Sequence, residues 1–383
     1  MKTFSLPDVS SPEERLVSLD ALRGFAVLLF LTVGIVGQFA RGPMKLLVEA
    51  NSEGSAAFWT KLIDLFQYAP WEGFTLCDFV TPLFVFIAGA AIPFSLSKRM
   101  KSEEWRMSRL WIRIFRRVVV LWVLGIALSW LDPSKSQNAL QIIAVAYLFG
   151  CLAYLFLPKN AQWGLFVGLL VLYWAGMKIK GGGYSEEMNV TLGYKLLSSL
   201  TIIATALCGV LAGDLLYTTR EEIEETSGND VGARKLAQRQ ACLRLVSFGL
   251  AFFLLGLLWS LLPEKFFFYC PLVRRLWTSS TGLYASGICL LLLALFYAVF
   301  DVWKTPGLKT FLVVLGTNAL AAYALSYLLN FEKAIAWLRI GLEEAGFGDY
   351  FNEWNQFVVH LLCVALILII LWNLWRREKF LRA

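Results

Sequence analysis

Apolar residues occur along this chain in long runs that are separated by short polar segments. A window of about 19 residues finds about ten runs, each near the ~20 residues that cross ~30 Å of hydrocarbon. Their approximate limits are 22–40, 73–96, 117–131, 140–157, 163–177, 197–217, 243–262, 281–303, 310–329 and 355–375. The pattern predicts an all-α polytopic membrane protein in which residues 1–383 form one helical bundle.

Composition agrees with this prediction and suggests an orientation. The chain is 58% hydrophobic and 16% charged, whereas soluble domains average about 25% charged residues. If the N-terminus is cytoplasmic, most of the 35 Lys and Arg residues lie in inside segments, as the positive-inside rule requires. An even number of spans then places both termini inside. The densest basic group follows the second run and comprises Lys98, Arg99, Lys101, Arg106, Arg109, Arg113, Arg116 and Arg117.

The net charge of +7 is therefore a topology signal, and without a recognition motif we expect no nucleic-acid partner. Seven cysteines show no C-x-x-C pairing, so an intramolecular disulfide is not expected. The single histidine, His360, nearly excludes a zinc site of ordinary composition. We expect no metal, and we expect His360 to pack inside the membrane.

Several polar segments interrupt the bundle. Residues 1–21 form a cytoplasmic leader without the features of a cleaved signal peptide. Residues 218–242 form an inside loop of mixed charge, and 41–70 an outside loop. Residues 331–354 alternate apolar and charged positions, which predicts an outside loop with an amphipathic helix on the membrane surface.

Asp78 lies inside the second apolar run, where an ionised carboxylate is costly and normally faces a polar cavity or a partner. Pro70 suits the first position of a helix. A set of residues at successive spacings of four, three and four would then lie on one helix face, with Tyr68 just ahead of that face on the outer side of the membrane. That set is Trp71, Thr75, Asp78 and Pro82. Asp78 either holds the bundle together or lines a functional cavity.

Five motifs in order resemble one known family. They are Arg15-Leu-Val-Ser-Leu-Asp-Ala-Leu-Arg-Gly24; Trp71-x-Gly-x-Thr-x-x-Asp78 continuing to Gly89; Gly209-x-x-x-Gly213; Pro271-Leu-Val-Arg-Arg-Leu-Trp-Thr-Ser-Ser280; and Gly316-Thr-Asn-Ala-Leu320 with Tyr323. Together with Arg116 and Arg117 at the start of the third run, they resemble heparan-α-glucosaminide N-acetyltransferase and its bacterial relatives. The resemblance extends over most of the chain.

The resemblance implies acetyl transfer across the membrane, in the inner membrane of a bacterium. Acetyl-CoA would be held from the cytoplasmic side, and the acetyl group would reach a sugar-type acceptor at the outer face. It implies cofactor-binding roles for Asp20, Arg23, Arg116 and Arg117. It also implies catalytic roles for Asp78 and Tyr68, and substrate-binding roles for Trp71, Thr75, Trp277, Asn318 and Tyr323.

The chain departs from the family at three polar positions. Tyr68 stands where the family has a histidine, Gly34 where it has an asparagine, and Gln141-Ile142-Ile143 lacks an arginine. Because tyrosine has an unperturbed pKa near ~10, it is a poor base at neutral pH, although its hydroxyl can donate a hydrogen bond to a carbonyl or oxyanion.

Alternatives therefore stay open. A non-catalytic relative could bind or pass a small molecule or lipid through the same cavity, and a secondary transporter ranks third because only one polar, proline-containing helix stands out. The spacing Gly209-x-x-x-Gly213 could join helices within one chain or in a homodimer.

Overall fold

The computed structural model describes residues 16–41, 61, 64–100, 107–131, 139–179, 184, 192–226, 231–329 and 353–377. These residues are predominantly helical, and no strand occurs among them. The helices are α1 Val17–Arg41, α2 Leu76–Met100, α3 Met107–Leu131, α4 Ala139–Phe156, α5 Lys159–Ile179, α6 Leu192–Thr226, α7 Val231–Ser260, α8 Ser279–Phe296, α9 Lys309–Thr317, α10 Ala319–Leu328 and α11 Glu353–Arg376. The all-α prediction is confirmed.

Within the described residues, eight helices are long and apolar enough to cross a membrane: α1, α2, α4, α5, α6, α7, α8 and α11. The pair α9 and α10, bent by 67° at Asn318, supplies a ninth span if it crosses as one unit. The protein is therefore an integral membrane protein with several spans. The third predicted run, 117–131, lies within α3, which carries Arg113, Arg116 and Arg117 in its first half and is not among these nine.

The glycines of the Gly209-x-x-x-Gly213 motif pack α6 against α2 of the same chain. A methyl group at Gly209 would lie 2.1 Å from the carbonyl oxygen of Phe86, and one at Gly213 would lie 2.2 Å from that of Ala90. Such approaches are possible only without a side chain, which is how small residues bring membrane helices together. Of the two uses predicted for the motif, the structure shows the one within a chain.

A second close approach fixes α1 against α9. A methyl group at Gly24 would lie 1.8 Å from the carbonyl oxygen of Leu312, and one at Gly316 would lie 1.9 Å from that of Asp20. The backbone around Asp20 therefore lies directly on α9.

The polar segments differ in part from their predicted form. In 218–242, α6 continues to Thr226 and α7 begins at Val231, so the described residues of the mixed-charge segment are helical. Residues 227–230 lie outside the described residues. In the leader, α1 begins at Val17. Residues 1–15, most of 41–70 and nearly all of the predicted amphipathic loop 331–354 lie outside the described residues.

Candidate functional site

Asp78 is the third residue of α2, and its carboxylate caps that helix. The backbone N–H of Thr75 donates to Asp78 Oδ2 (3.2 Å), and the backbone N–H of Asp78 donates to Thr75 Oγ1 (3.3 Å). This reciprocal pair is a capping box, which satisfies N–H groups that a helix start leaves without partners. The N–H of Ala69 donates to the same carboxylate oxygen (3.1 Å). Asp78 is 2% exposed, so this geometry favours the role of holding the structure together.

The prediction that Pro70 begins the helix is wrong. Residues 65–75 are not helical and include turns, bends and an isolated bridge at Gly73, and the helix begins at Leu76. Trp71 and Thr75 therefore precede the helix and do not share a helix face with Asp78 and Pro82. The capping box sets the start because it supplies hydrogen-bond partners to the first turn, whereas proline only tolerates the position.

Two stretches outside the helices meet above the start of α2. The N–H of Gly73 donates to the carbonyl of Leu272 (2.9 Å), with Gly73 at φ 119°, a conformation that favours glycine. The Trp71 indole N–H donates to the carbonyl of Tyr184 (2.7 Å). Trp71, predicted to bind substrate, therefore also anchors this part of the chain.

Tyr68 and Arg274 come together at this junction. The guanidinium carbon of Arg274 lies 4.9 Å from the centre of the Tyr68 ring, and Nη2 donates to Thr81 Oγ1 on α2 (3.1 Å). We call the region around Tyr68, Thr81 and Arg274 the outer mouth, after the orientation that the basic residues predict. Arg274 was not among the predicted site residues.

The Tyr68 hydroxyl remains protonated at neutral pH. Tyr68 as a whole is 55% exposed, but its hydroxyl interacts with the buried Cys77. Desolvation there raises the pKa of Tyr68 from 10.0 to about 12, although the positive charge of Arg274 acts in the opposite direction. Tyr68 is therefore suited to donate a hydrogen bond and unsuited to act as a base.

The other predicted substrate-binding residues lie among the packed helices. Tyr323 packs beside apolar side chains of α3 and α4, and its hydroxyl donates to that of Tyr327 (3.1 Å). Trp277 is only 6% exposed and packs among apolar side chains of α2, α4 and α6. Asn318 is fully buried at the break between α9 and α10, and neither polar atom of its amide has a hydrogen-bond partner among the described residues.

A cavity of about 370 Å³ lies at the opposite end of α2. Ser95, on its lining, is 17 residues after Asp78, a rise of roughly 25 Å along a helix. We call this cavity the inner cavity. Its lining residues are Ser95, Leu96, Leu110, Arg113, Ile114, Arg116, Arg117 and Tyr147. The predicted Arg116 and Arg117 are present, whereas Arg113 and Tyr147 were missed.

The inner cavity is strongly cationic. Arg113 and Arg116 are exposed, and the guanidinium carbon of Arg117 lies 4.4 Å from the centre of the Tyr147 ring. Arg117 Nε is buried with no hydrogen-bond partner among the described residues. No described carboxylate lies within ion-pair distance of these three arginines. Such a cluster is suited to bind phosphate or carboxylate groups.

Asp20 and Arg23, which the resemblance implied for the cofactor, do not line this cavity. They form an ion pair with each other (Nη1 to Oδ1, 3.2 Å) near the start of α1. The four predicted cofactor-binding residues thus fall into two places.

His360 is buried, as predicted, at 3% exposure. Its ring lies against α1, where a methyl group at Gly34 would be 3.5 Å from Nε2. The histidine therefore occupies the space beside a position at which this chain departs from the family it resembles. No cluster of His, Cys, Asp and Glu that could hold a metal ion occurs in the described part of the chain.

Comparison with known proteins leaves the family open. No family model matches this chain, and no curated protein matches it significantly. The resemblance in the five motifs stays a prediction.

Proposed function

We propose that this protein is a membrane-embedded acyltransferase, in the inner membrane of a bacterium, that moves an acetyl group from acetyl-CoA to a sugar-type acceptor. Acetyl-CoA would enter the inner cavity, and the acceptor would bind at the outer mouth. The observation that carries the proposal is the inner cavity, in which Arg113, Arg116 and Arg117 line a space of about 370 Å³ without a described counter-ion. The motifs that resemble the N-acetyltransferase family also support it.

The chemistry requires few protein groups. The thioester C–S bond breaks, a new C–N or C–O bond forms to the acceptor, and the proton that the acceptor loses ends on the CoA sulfur. The protonated hydroxyl of Tyr68 is suited to donate to the developing oxyanion. Asp78 would orient the loop that carries Tyr68, since its Oδ2 accepts from Ala69 and Thr75.

The test begins with binding of acetyl-CoA to the purified full-length chain, measured by calorimetry, and continues with CoA release when glucosamine is added. Arg116→Gln and Arg117→Gln should each lower the affinity for acetyl-CoA about tenfold or more, because each removes a charge-assisted contact. Arg239→Gln, an exposed arginine on α7 outside the cavity lining, is the matched control. If acetyl-CoA does not bind, or if all three variants behave alike, the donor site is wrong.

A second candidate is a non-catalytic relative that binds or passes a small molecule or lipid. The capping role of Asp78 favours it, because the hydrogen bonds from the backbone N–H groups of Ala69 and Thr75 give the carboxylate a structural task that needs no catalysis. Saturable binding of acetyl-CoA without CoA release from any amine or hydroxyl acceptor would support this candidate.

The break at Asn318 bears on the third candidate, a secondary transporter. Broken spans with unpaired polar groups form substrate sites in transporters, where they occur in pairs related by repeat symmetry. Among the described helices, one such bent pair is present, α9 with α10. This supports ranking the transporter third.

A further inference from the structure

Arg274, in the outer mouth, has N–H donors that make no hydrogen bond within the described part of the protein. It begins the short 3₁₀ turn Arg274–Leu276, which follows the stretch that pairs with Gly73. One face of its guanidinium lies against Tyr68, and Nη2 donates to Thr81. Nε is buried and has no hydrogen-bond partner among the described residues.

The mouth contains no described carboxylate that neutralises Arg274 at close range. None of the ion pairs between described residues includes Arg274. The nearby Asp78 directs Oδ2 to the backbone of Ala69 and Thr75. Glu72 accepts a hydrogen bond from the Tyr269 hydroxyl (3.4 Å). The structure therefore assigns no carboxylate partner to the remaining N–H groups of Arg274 among the described residues.

A partly buried guanidinium without a counter-ion is unfavourable, and an anion with two neighbouring oxygens satisfies it well because two parallel N–H donors match two oxygens. The contact with the Tyr68 ring and the hydrogen bond to Thr81 hold the guanidinium in place before an anion binds. We infer that Arg274 binds a carboxylate or phosphate group, so that the acceptor at the outer mouth is anionic. This inference rests on the proposed function and names the substrate class of the outer mouth.

Two sources could supply this anion, a sugar acid and the headgroup of an anionic lipid. Both present two neighbouring oxygens to a guanidinium, in a plane for the carboxylate and in a tetrahedral arrangement for the phosphate. The experiment therefore has one arm for each, with glucuronate for the sugar acid and dihexanoylphosphatidylglycerol for the lipid. Glucose is the uncharged counterpart of glucuronate.

Binding of each probe to the purified full-length chain is measured by calorimetry. We expect at least one anion to bind saturably and glucose to bind more weakly. Arg274→Gln should lower the affinity for that anion about tenfold or more, the size expected for a charge-assisted hydrogen bond. Arg275→Gln, which removes the same charge from the exposed neighbour, should stay within about twofold because it leaves this bond intact. Arg274→Lys, which keeps the charge but loses the planar fork, should fall between them.

Acetyl-CoA binding at the inner cavity reports whether each variant is folded. If Arg274→Gln does not bind acetyl-CoA, the loss of affinity for the anion is measured on Arg274→Lys instead. The inference is overturned if neither anion binds the wild-type chain, or if Arg274 and Arg275 variants lose affinity equally. If an anion binds through Arg274 but the wild-type chain does not bind acetyl-CoA, the acyltransferase proposal is wrong. The anion site at Arg274 is then supported independently of that proposal.

Discussion

An arginine contacts a tyrosine ring near each end of α2, but the surroundings of the two contacts differ. At the outer mouth Arg274 lies over Tyr68, and at the inner cavity Arg117 lies over Tyr147, each with a buried Nε that has no hydrogen-bond partner among the described residues. At the outer mouth, the carboxylate of Asp78 caps the start of α2. The inner one opens to a cavity with two further arginines.

This difference indicates what each end can bind. A cavity that concentrates three positive charges suits a ligand with several negative charges, such as the phosphates of CoA. A single arginine beside a buried carboxylate suits one anionic group of limited size. The aromatic ring orients the guanidinium in both places, and the surrounding charges set the number of anionic groups.

The largest effect is expected when both ends are disturbed together. Gly213→Val would place a side chain within 2.2 Å of the Ala90 carbonyl oxygen, so α6 and α2 would have to separate. We expect a loss of about 3 kcal/mol or more in the free energy of unfolding, because backbone atoms cannot yield as a flexible side chain can. Thermal unfolding in detergent measures it, and ligand binding should fail at both ends.

Gly168→Val is the matched control for this prediction. A methyl group at Gly168 in α5 would meet nothing within 4 Å. The same change of residue should therefore leave the midpoint of unfolding and both binding sites close to wild type. A stable Gly213→Val chain would show that α2 and α6 do not approach as closely as described.

A smaller effect, confined to the outer end, is expected at Asp78. Asp78→Ala removes the capping acceptor and should cost about 1–2 kcal/mol, while acetyl-CoA binding at the inner cavity is retained. Asp78→Asn keeps an oxygen that can accept from Thr75 and Ala69, so its loss in the free energy of unfolding should be smaller. Because Thr75 and Asp78 act as one unit, Thr75→Ala and Asp78→Ala should be non-additive.

Turnover separates capping from catalysis at the same residue. If Asp78→Asn unfolds like wild type yet releases no CoA, the carboxylate has a chemical task beyond capping. If Asp78→Asn loses activity only in proportion to stability, the capping role is sufficient.

Local signals in the sequence explain much of the fold and part of the site. Runs of apolar residues located the spans because each depends only on neighbouring residues. The start of α2 is also encoded locally, since Thr75-Leu-Cys-Asp78 has the pattern of a capping box, but the prediction placed the start at Pro70. The spacing of Arg113 from Arg116 and Arg117 likewise places all three on one helix face.

Contacts between distant segments could not be read in this way. Arg274 meets Tyr68, and His360 meets Gly34, only because packing of several helices brings them together. No periodicity or propensity links such pairs in a single sequence. The same limit applies to Asp20 and Arg23, for which the resemblance implied a CoA site but which pair with each other outside the inner cavity.

The smallest effects should come from the two rings. Tyr147 is 3% exposed and Tyr68 is 55% exposed, and a cation–π contact is worth about 2 kcal/mol when desolvated but about 0.5–1 kcal/mol at an exposed site. Because Tyr147 acts on the ligand through Arg117, Tyr147→Leu should weaken acetyl-CoA binding by less than the loss of about tenfold expected for Arg117→Gln. Tyr68→Leu should weaken anion binding at the outer mouth about two- to fivefold. Tyr147→Phe and Tyr68→Phe keep the rings and should bind nearly as wild type. If Tyr147→Leu and Tyr68→Leu lose equal amounts of affinity, the difference in exposure between the two rings does not set the strength of their contacts with arginine. The proposed difference between the two ends would then be wrong on this point.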